Sequence, residues 1–252
     1  MSRKKILLAN WKMNTNYNEA VTLAQEMDYE RKAFAGIDTV VCPPYISLKG
    51  VGNVFAFDKS PLMLGAQDVF WEQDGAYTGF ISASMLKSLA VSYCIVGHSE
   101  RRHHAKEDDK TVGLKAQALL EAGITPVICV GEPPVVYEAG STREFVSEQL
   151  SVALEQVEDP QNLVVAYEPI WAIGSGKVAS PLHVQEVLSA LRAVLEARFG
   201  AERAEAMRLV YGGSVMAENI HAYSEIEELD GFLVGGASLD AQKFAAIAKN
   251  MK

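Results

Sequence analysis

Cysteine is scarce in this chain: three residues in 252, Cys42, Cys94 and Cys129, each inside an apolar segment and none in a Cys-x-x-Cys spacing. An odd count in such surroundings argues against a disulfide framework or a thiolate metal site. It predicts buried, reduced thiols in a reducing compartment, the cytoplasm. No apolar stretch approaches the roughly 20 residues that cross a bilayer. The basic start Arg3-Lys4-Lys5 leads into only Ile6-Leu7-Leu8-Ala9 before Asn10, shorter than an export core, and reads as a strand. Positive charge is also short, with 23 Lys and Arg against 32 Asp and Glu and a formal net charge of −9. That field repels polyanions, so neither nucleic acid nor an acidic membrane surface is an expected partner. A small anionic substrate is still compatible with it wherever local donors converge. No Gly-x-Gly-x-x-Gly follows the first strand, which removes the best signature of a dinucleotide-binding fold.

What is present is a repeating unit: a short apolar run, a polar or glycine-rich turn, then a stretch with helical spacing. Candidate strands are 5–10, 38–42, 62–67, 93–96, 125–130, 163–168, 209–211 and 231–234. Uninterrupted apolar runs of this length fit parallel strands buried on both faces. The clearest helices are 18–31, 108–122, 142–157 and 181–199, the last opened by Ser180-Pro181 and closed by Gly200. Such alternation implies parallel pairing through right-handed crossovers. With no linker-like break, the pattern predicts one α/β domain over 1–252, a single (β/α)8 barrel rather than two doubly wound domains.

Barrels of this kind build their sites at the C-terminal ends of the strands, so the residues just after each apolar run matter most. Asn10 and Lys12 follow the first run and His98 the fourth. Glu168 closes the sixth, and glycine turns at Gly174, Gly212-Gly213-Ser214 and Gly235-Gly236 follow the sixth, seventh and eighth. Alone, each has an ordinary explanation: a solvated lysine, a structural histidine, a helix-start carboxylate or turns that need φ > 0. Together they bring a cation, an imidazole, a carboxylate and a nest of backbone N–H groups to one mouth. Backbone amides of Ser214, Gly235 and Gly236 suit a phosphate dianion, and a carboxylate beside an imidazole suits proton transfer next to a carbonyl. His103 and His104 are adjacent, so they diverge on a helix; no metal and no cofactor is expected.

Several longer motifs are more specific: Asn10-Trp11-Lys12-Met13-Asn14, Gly65-Ala66-Gln67, Gly75-Ala76-Tyr77-Thr78-Gly79, Gly97-His98-Ser99-Glu100-Arg101-Arg102, Cys129-Val130-Gly131-Glu132, Tyr167-Glu168-Pro169-Ile170-Trp171-Ala172-Ile173-Gly174-Ser175-Gly176-Lys177, Tyr211-Gly212-Gly213-Ser214-Val215 and Gly231-Phe232-Leu233-Val234-Gly235-Gly236-Ala237-Ser238-Leu239. In content and order they resemble the triosephosphate isomerase family. The resemblance implies a TIM barrel that interconverts dihydroxyacetone phosphate and D-glyceraldehyde 3-phosphate through a cis-enediol(ate), in glycolysis and gluconeogenesis. It implies Glu168 as the base, His98 as the electrophile, and Lys12 and Asn10 as polar groups on the substrate. The family's histidine is known to be held neutral by a helix N-terminus, and a helix over Ser99–His104 would follow His98 here.

By the same resemblance, 169–179 would be a mobile lid, with Gly174 N–H joining Ser214, Gly235 and Gly236 on the phosphate. Tyr211, Ser214 and Gly176 would latch the closed lid, and Glu132 would accept from Trp171 in the open one. The family is homodimeric, with the loop 75–79 of one subunit docking beside Lys12 and His98 of the other.

Two positions depart from the family. Phe80 stands where the family carries a glutamate that pairs across the interface with the arginine at position 101, and Asp68 replaces a usual asparagine. The loss at Phe80 predicts that Arg101 pairs instead with Glu107 of its own chain. An isomerase of the same fold acting on a four-carbon ketose phosphate would keep the same base and electrophile, and a catalytically idle phosphate-binding barrel is the reading from another class.

Overall fold

The computed structural model describes residues 3–160, 162–174 and 176–251. Eight strands, β1 (Ile6–Asn10), β2 (Asp38–Cys42), β3 (Met63–Ala66), β4 (Tyr93–Val96), β5 (Thr125–Val130), β6 (Val164–Tyr167), β7 (Arg208–Tyr211) and β8 (Gly231–Val234), close into a barrel in chain order. Every pairing is parallel, and the seam is made by β1 against β8, with Ile6 opposite Gly231. A Cβ on Gly231 would lie 1.7 Å from the Ile6 carbonyl oxygen, so only glycine lets the seam close.

The runs are apolar throughout because both faces of each strand are buried. Ile6 and Leu8 point into the barrel with Val40, Ile95, Val127 and Val164, while Leu7 and Ala9 point outward against the helices. The helix 181–199 forms at its expected bounds as Pro181–Phe199, with Ser180 capping its start. The other clear predictions shorten or shift by one to three residues at an end: Tyr17–Tyr29, Asp109–Glu121 and Thr142–Leu154. Past Tyr29 the chain tightens into a 3₁₀ turn, Arg31–Phe34. Gln67 and Glu168 fall just outside β3 and β6 and line the mouth, although the Glu168 N–H still donates to the Val130 carbonyl of β5 at 2.8 Å. Cys42, Cys94 and Cys129 are buried and unpaired, and burial pushes their thiols up.

At the far end of the barrel, Arg208 pairs with Asp38 at 2.7 Å and donates to the Tyr93 hydroxyl at 2.7 Å. Arg3 pairs with Asp230 at 2.7 Å. These contacts close the floor and leave the opposite mouth open.

Candidate active site

Glu168 is buried at the C-terminal end of β6, and its Oε1 lies 3.0 Å from His98 Nε2. Its other oxygen accepts from the Ser99 backbone N–H at 3.2 Å. Two glycines make room for Glu168, one beside its side chain and one beside its backbone. A Cβ on Gly212 would come within 3.0 Å of Glu168 Cγ, and one on Gly131 within 1.9 Å of the Glu168 carbonyl oxygen. Burial alone would raise the Glu168 carboxyl, but His98, the Ser99 N–H and Lys12 outweigh it and hold the group below its ordinary value.

His98 follows β4 directly and caps the helix Ser99–His104, its Nδ1 accepting from the Glu100 N–H at 3.2 Å. An acceptor Nδ1 assigns the proton of the neutral ring to Nε2, which faces Glu168. Burial pulls the His98 imidazole down, yet the Glu168 carboxylate beside it more than offsets this, and the net shift is upward. Two opposed influences therefore meet on one ring: the helix N-terminus favours the neutral form, and the carboxylate favours the charged one. Behind the histidine, Arg102 clamps the turn by donating to the Gly97 carbonyl at 2.7 Å and the Cys129 carbonyl at 3.0 Å.

Lys12 adopts φ +53°, a left-handed conformation that a side chain rarely takes without external hold. Asn10 Oδ1 accepts its N–H at 3.0 Å, and Gln67 Nε2 donates to its carbonyl at 2.9 Å. Gln67 also donates to the Cys42 carbonyl at 2.9 Å, so the mouth ends of β1, β2 and β3 are tied at one amide. The Lys12 ammonium, aimed at the mouth, rests on Glu100 at 2.7 Å.

These groups line one cavity of about 580 Å³, shared by Asn10, Lys12, His98, Glu168, Gly174, Ser214, Gly235 and Gly236. All eight sequence-nominated residues thus meet at a single mouth. In the segment 169–179, Gly174 and Gly176 have φ of +66° and +75°; Ser175, quoted in the lid motif, lies outside the described residues. Trp171 donates to Glu132 at 2.6 Å. The Tyr211 hydroxyl, expected with Ser214 and Gly176 to latch the closed lid, is buried without a hydrogen-bond partner among the described residues.

Arg101 pairs with Glu107 of its own chain at 2.6 Å, as its sequence setting predicts. Sequence reasoning missed the other half of the arrangement. Asp68 pairs with Arg101 at 2.8 Å and with Lys115 at 2.6 Å, and Lys115 reaches Glu107 at 2.5 Å. Two cations and two carboxylates close a ring inside one subunit. The available signals were Asp68, noted as a departure from the family, and Lys115, a charge on the helix face that also buries Val112, Ala116 and Leu119. Beside this ring a second cavity of about 280 Å³ runs past Met13, Tyr45 and Glu100 to Lys12 and His98.

With that geometry in view, comparison with known proteins is direct. The family model for triosephosphate isomerase matches residues 5–251. The chain belongs to the triosephosphate isomerase family. It is 44% identical to the triosephosphate isomerase of Corynebacterium efficiens over 99% of this chain and 97% of that protein. It is 46% identical to that of Nocardia farcinica over 98% and 97%, and 45% identical to that of Thermoanaerobacter pseudethanolicus over 97% and 98%. The matched span of the family model, residues 5–251, takes in every strand and every mouth residue named above.

Proposed function

We propose that the chain is a triosephosphate isomerase that interconverts dihydroxyacetone phosphate and D-glyceraldehyde 3-phosphate, as one catalytic unit over 1–252. The observation that carries this reading is the buried Glu168 carboxylate facing His98 at 3.0 Å on the wall of a cavity that also holds Lys12. Aldose–ketose interconversion moves a proton between adjacent carbons and between their oxygens, with no net redox change. One base and one hydrogen-bonding electrophile are sufficient.

Glu168 takes the proton from the carbon next to the carbonyl and returns it to the neighbouring carbon. His98 donates from Nε2 to the carbonyl oxygen and moves protons between the two oxygens of the enediolate. To reach the substrate, Glu168 leaves His98. The larger influence that raises the imidazole then departs, while the Glu100 N–H on Nδ1 stays, and the balance moves toward the neutral donor the step needs. Lys12 stabilises charge developing on the enediolate and, with Asn10, holds the substrate oxygens. Backbone amides of Gly174, Ser214, Gly235 and Gly236 grip the phosphate. Closure of 169–179 expels water and protects the enediolate from loss of phosphate.

The working form is a homodimer in the cytoplasm. The second cavity, open beside Lys12 and His98, fits the loop 75–79 of a neighbouring subunit, and three buried thiols fit a reducing compartment. No helix among the described residues is long and apolar enough to cross a membrane. A coupled assay of triose phosphate interconversion in both directions, run beside the four-carbon erythrulose phosphates, tests the reading. Rapid turnover of the triose phosphates is expected, and its absence with a folded chain would overturn the proposal.

A further inference from the structure

Around Trp171 lies a cluster that the proton-transfer steps do not use. Trp171 sits in the 3₁₀ turn Ile170–Ala172, just past Glu168. Its ring stacks on Tyr137 with centroids 4.0 Å apart and planes at 20°. His183 meets both rings edge-on, at 69° to Trp171 and 89° to Tyr137. Nε2 of His183 lies 2.8 Å from the Tyr167 hydroxyl, which donates to Glu132 Oε1 at 3.1 Å. With that hydroxyl proton committed to Glu132, Nε2 carries a proton and donates to the Tyr167 oxygen. A chain of donors thus runs from His183 through Tyr167 to the fully buried Glu132, where the Trp171 indole N–H also ends.

The placement of the parts is informative. Tyr137 comes from the helix Pro134–Glu138 that follows β5, and His183 from the first turn of Pro181–Phe199. Trp171 stands near the entry of the segment 169–179, and His183 stands just past its exit. The cluster therefore touches both ends of the segment and holds it where the cavity mouth is open and the Tyr211 hydroxyl has no hydrogen-bond partner among the described residues.

We propose that Tyr137 and His183 are positioning residues that form a socket for Trp171 and so set how readily the segment 169–179 leaves its open position. This rests on the isomerase reading above. Contacts made only in the open position bias the equilibrium toward it, and a ligand that needs closure must overcome them. One aromatic pair of this geometry is worth roughly threefold to tenfold in that equilibrium. Weakening the socket therefore tightens binding of any ligand that closes the segment. A group that served only to stabilise the fold would loosen binding or leave it unchanged.

Calorimetric titration with 2-phosphoglycolate, a planar anion resembling the enediolate, tests this on the intact chain. Tyr137→Ala should bind it about threefold to tenfold more tightly than wild type, and Tyr137→Phe, which keeps the ring, should match wild type. His183→Ala should act in the same direction. Tyr137 is 40% exposed, so its truncation should fold; Tyr137→Leu is the second variant if it does not. Unchanged or weaker binding in the ring-less Tyr137 variant, with wild-type isomerase activity intact, would overturn the socket alone. A wild-type chain without isomerase activity would overturn the parent reading instead.

Discussion

Glu168 rests against His98 in a pairing it must break to work, and each group is set by the other. The carboxyl is held below its ordinary 4.5 and the imidazole above its ordinary 6.5. A depressed carboxylate adds stability that is present above about pH 4.5 and is lost as pH falls through the folded value. A raised imidazole adds stability that is present below about pH 6.5 and is lost as pH rises through its folded value. The two windows overlap between those limits. Denaturant melts of wild type and His98→Gln across pH should therefore differ most between about pH 4.5 and 6.5, with the gap narrowing on both sides; a flat difference would dissolve the pair. For Glu168→Gln, the amide keeps the shape of the side chain and its single oxygen still accepts from one of the two donors, the Ser99 N–H or His98 Nε2–H, so the fold should hold. Turnover should fall by at least about 10²–10⁴-fold with little change in substrate binding. Steady-state kinetics decides it, and near wild-type turnover would remove Glu168 as the base. Both residues were legible in the sequence because each stands at the end of an apolar run. Their contact was not, since it depends on how β4 and β6 register across the barrel.

The helix Ser99–His104 is one short element on which much of the chemistry leans. It offers Ser99 N–H to Glu168, Glu100 N–H to His98 and the Glu100 carboxylate to Lys12. None of its six residues is buried, so apolar packing does not fix it. Charge does: Arg102 pairs with Asp109 at 2.5 Å, and Arg101 is held between Asp68 and Glu107. Lys115, buried, completes the ring. Breaking one partner of a buried pair typically costs about 3–5 kcal/mol, because the opposite charge is left uncompensated. Asp68→Asn should thus destabilise by roughly that amount, reduced somewhat by the remaining Glu107 contacts. Asp68→Asn with Lys115→Met, which removes one charge of each sign, should recover much of it. Chemical denaturation of the two variants checks this; a double variant no more stable than the single would mean that charge balance is not what holds the ring. Asp68 stood out in the sequence only as a departure. Its partner Lys115 lies 47 positions away, and no local pattern links them.

At the scale of the whole molecule, charge balance bears on assembly. A guanidinium that depended on a neighbouring subunit would be stranded whenever the subunits parted. Here Arg101 meets two carboxylates of its own chain, so separation leaves no unpaired charge there. The position that would have carried the carboxylate holds Phe80, 52% exposed and stacked on Phe70 at 4.1 Å beside Trp71 and Tyr77. Met13, Ile46 and Met85 add exposed apolar surface on the same β1–β3 side of the barrel. An association made by such surface is driven by burial of apolar area, which salt does not screen, whereas exposed charges are weakened by added salt and largely screened beyond a Debye length of about 8–10 Å at ordinary ionic strength. The expected homodimer should therefore resist dissociation equally at low and high salt. Phe80→Ala should weaken it by about 1–3 kcal/mol, the scale of one buried large apolar side chain. Sedimentation equilibrium from nanomolar to micromolar chain concentration reads both quantities. A dissociation constant that rises steeply with salt would place the interface on charge after all. A monomer with full isomerase activity would show that no neighbouring loop is needed beside Lys12 and His98.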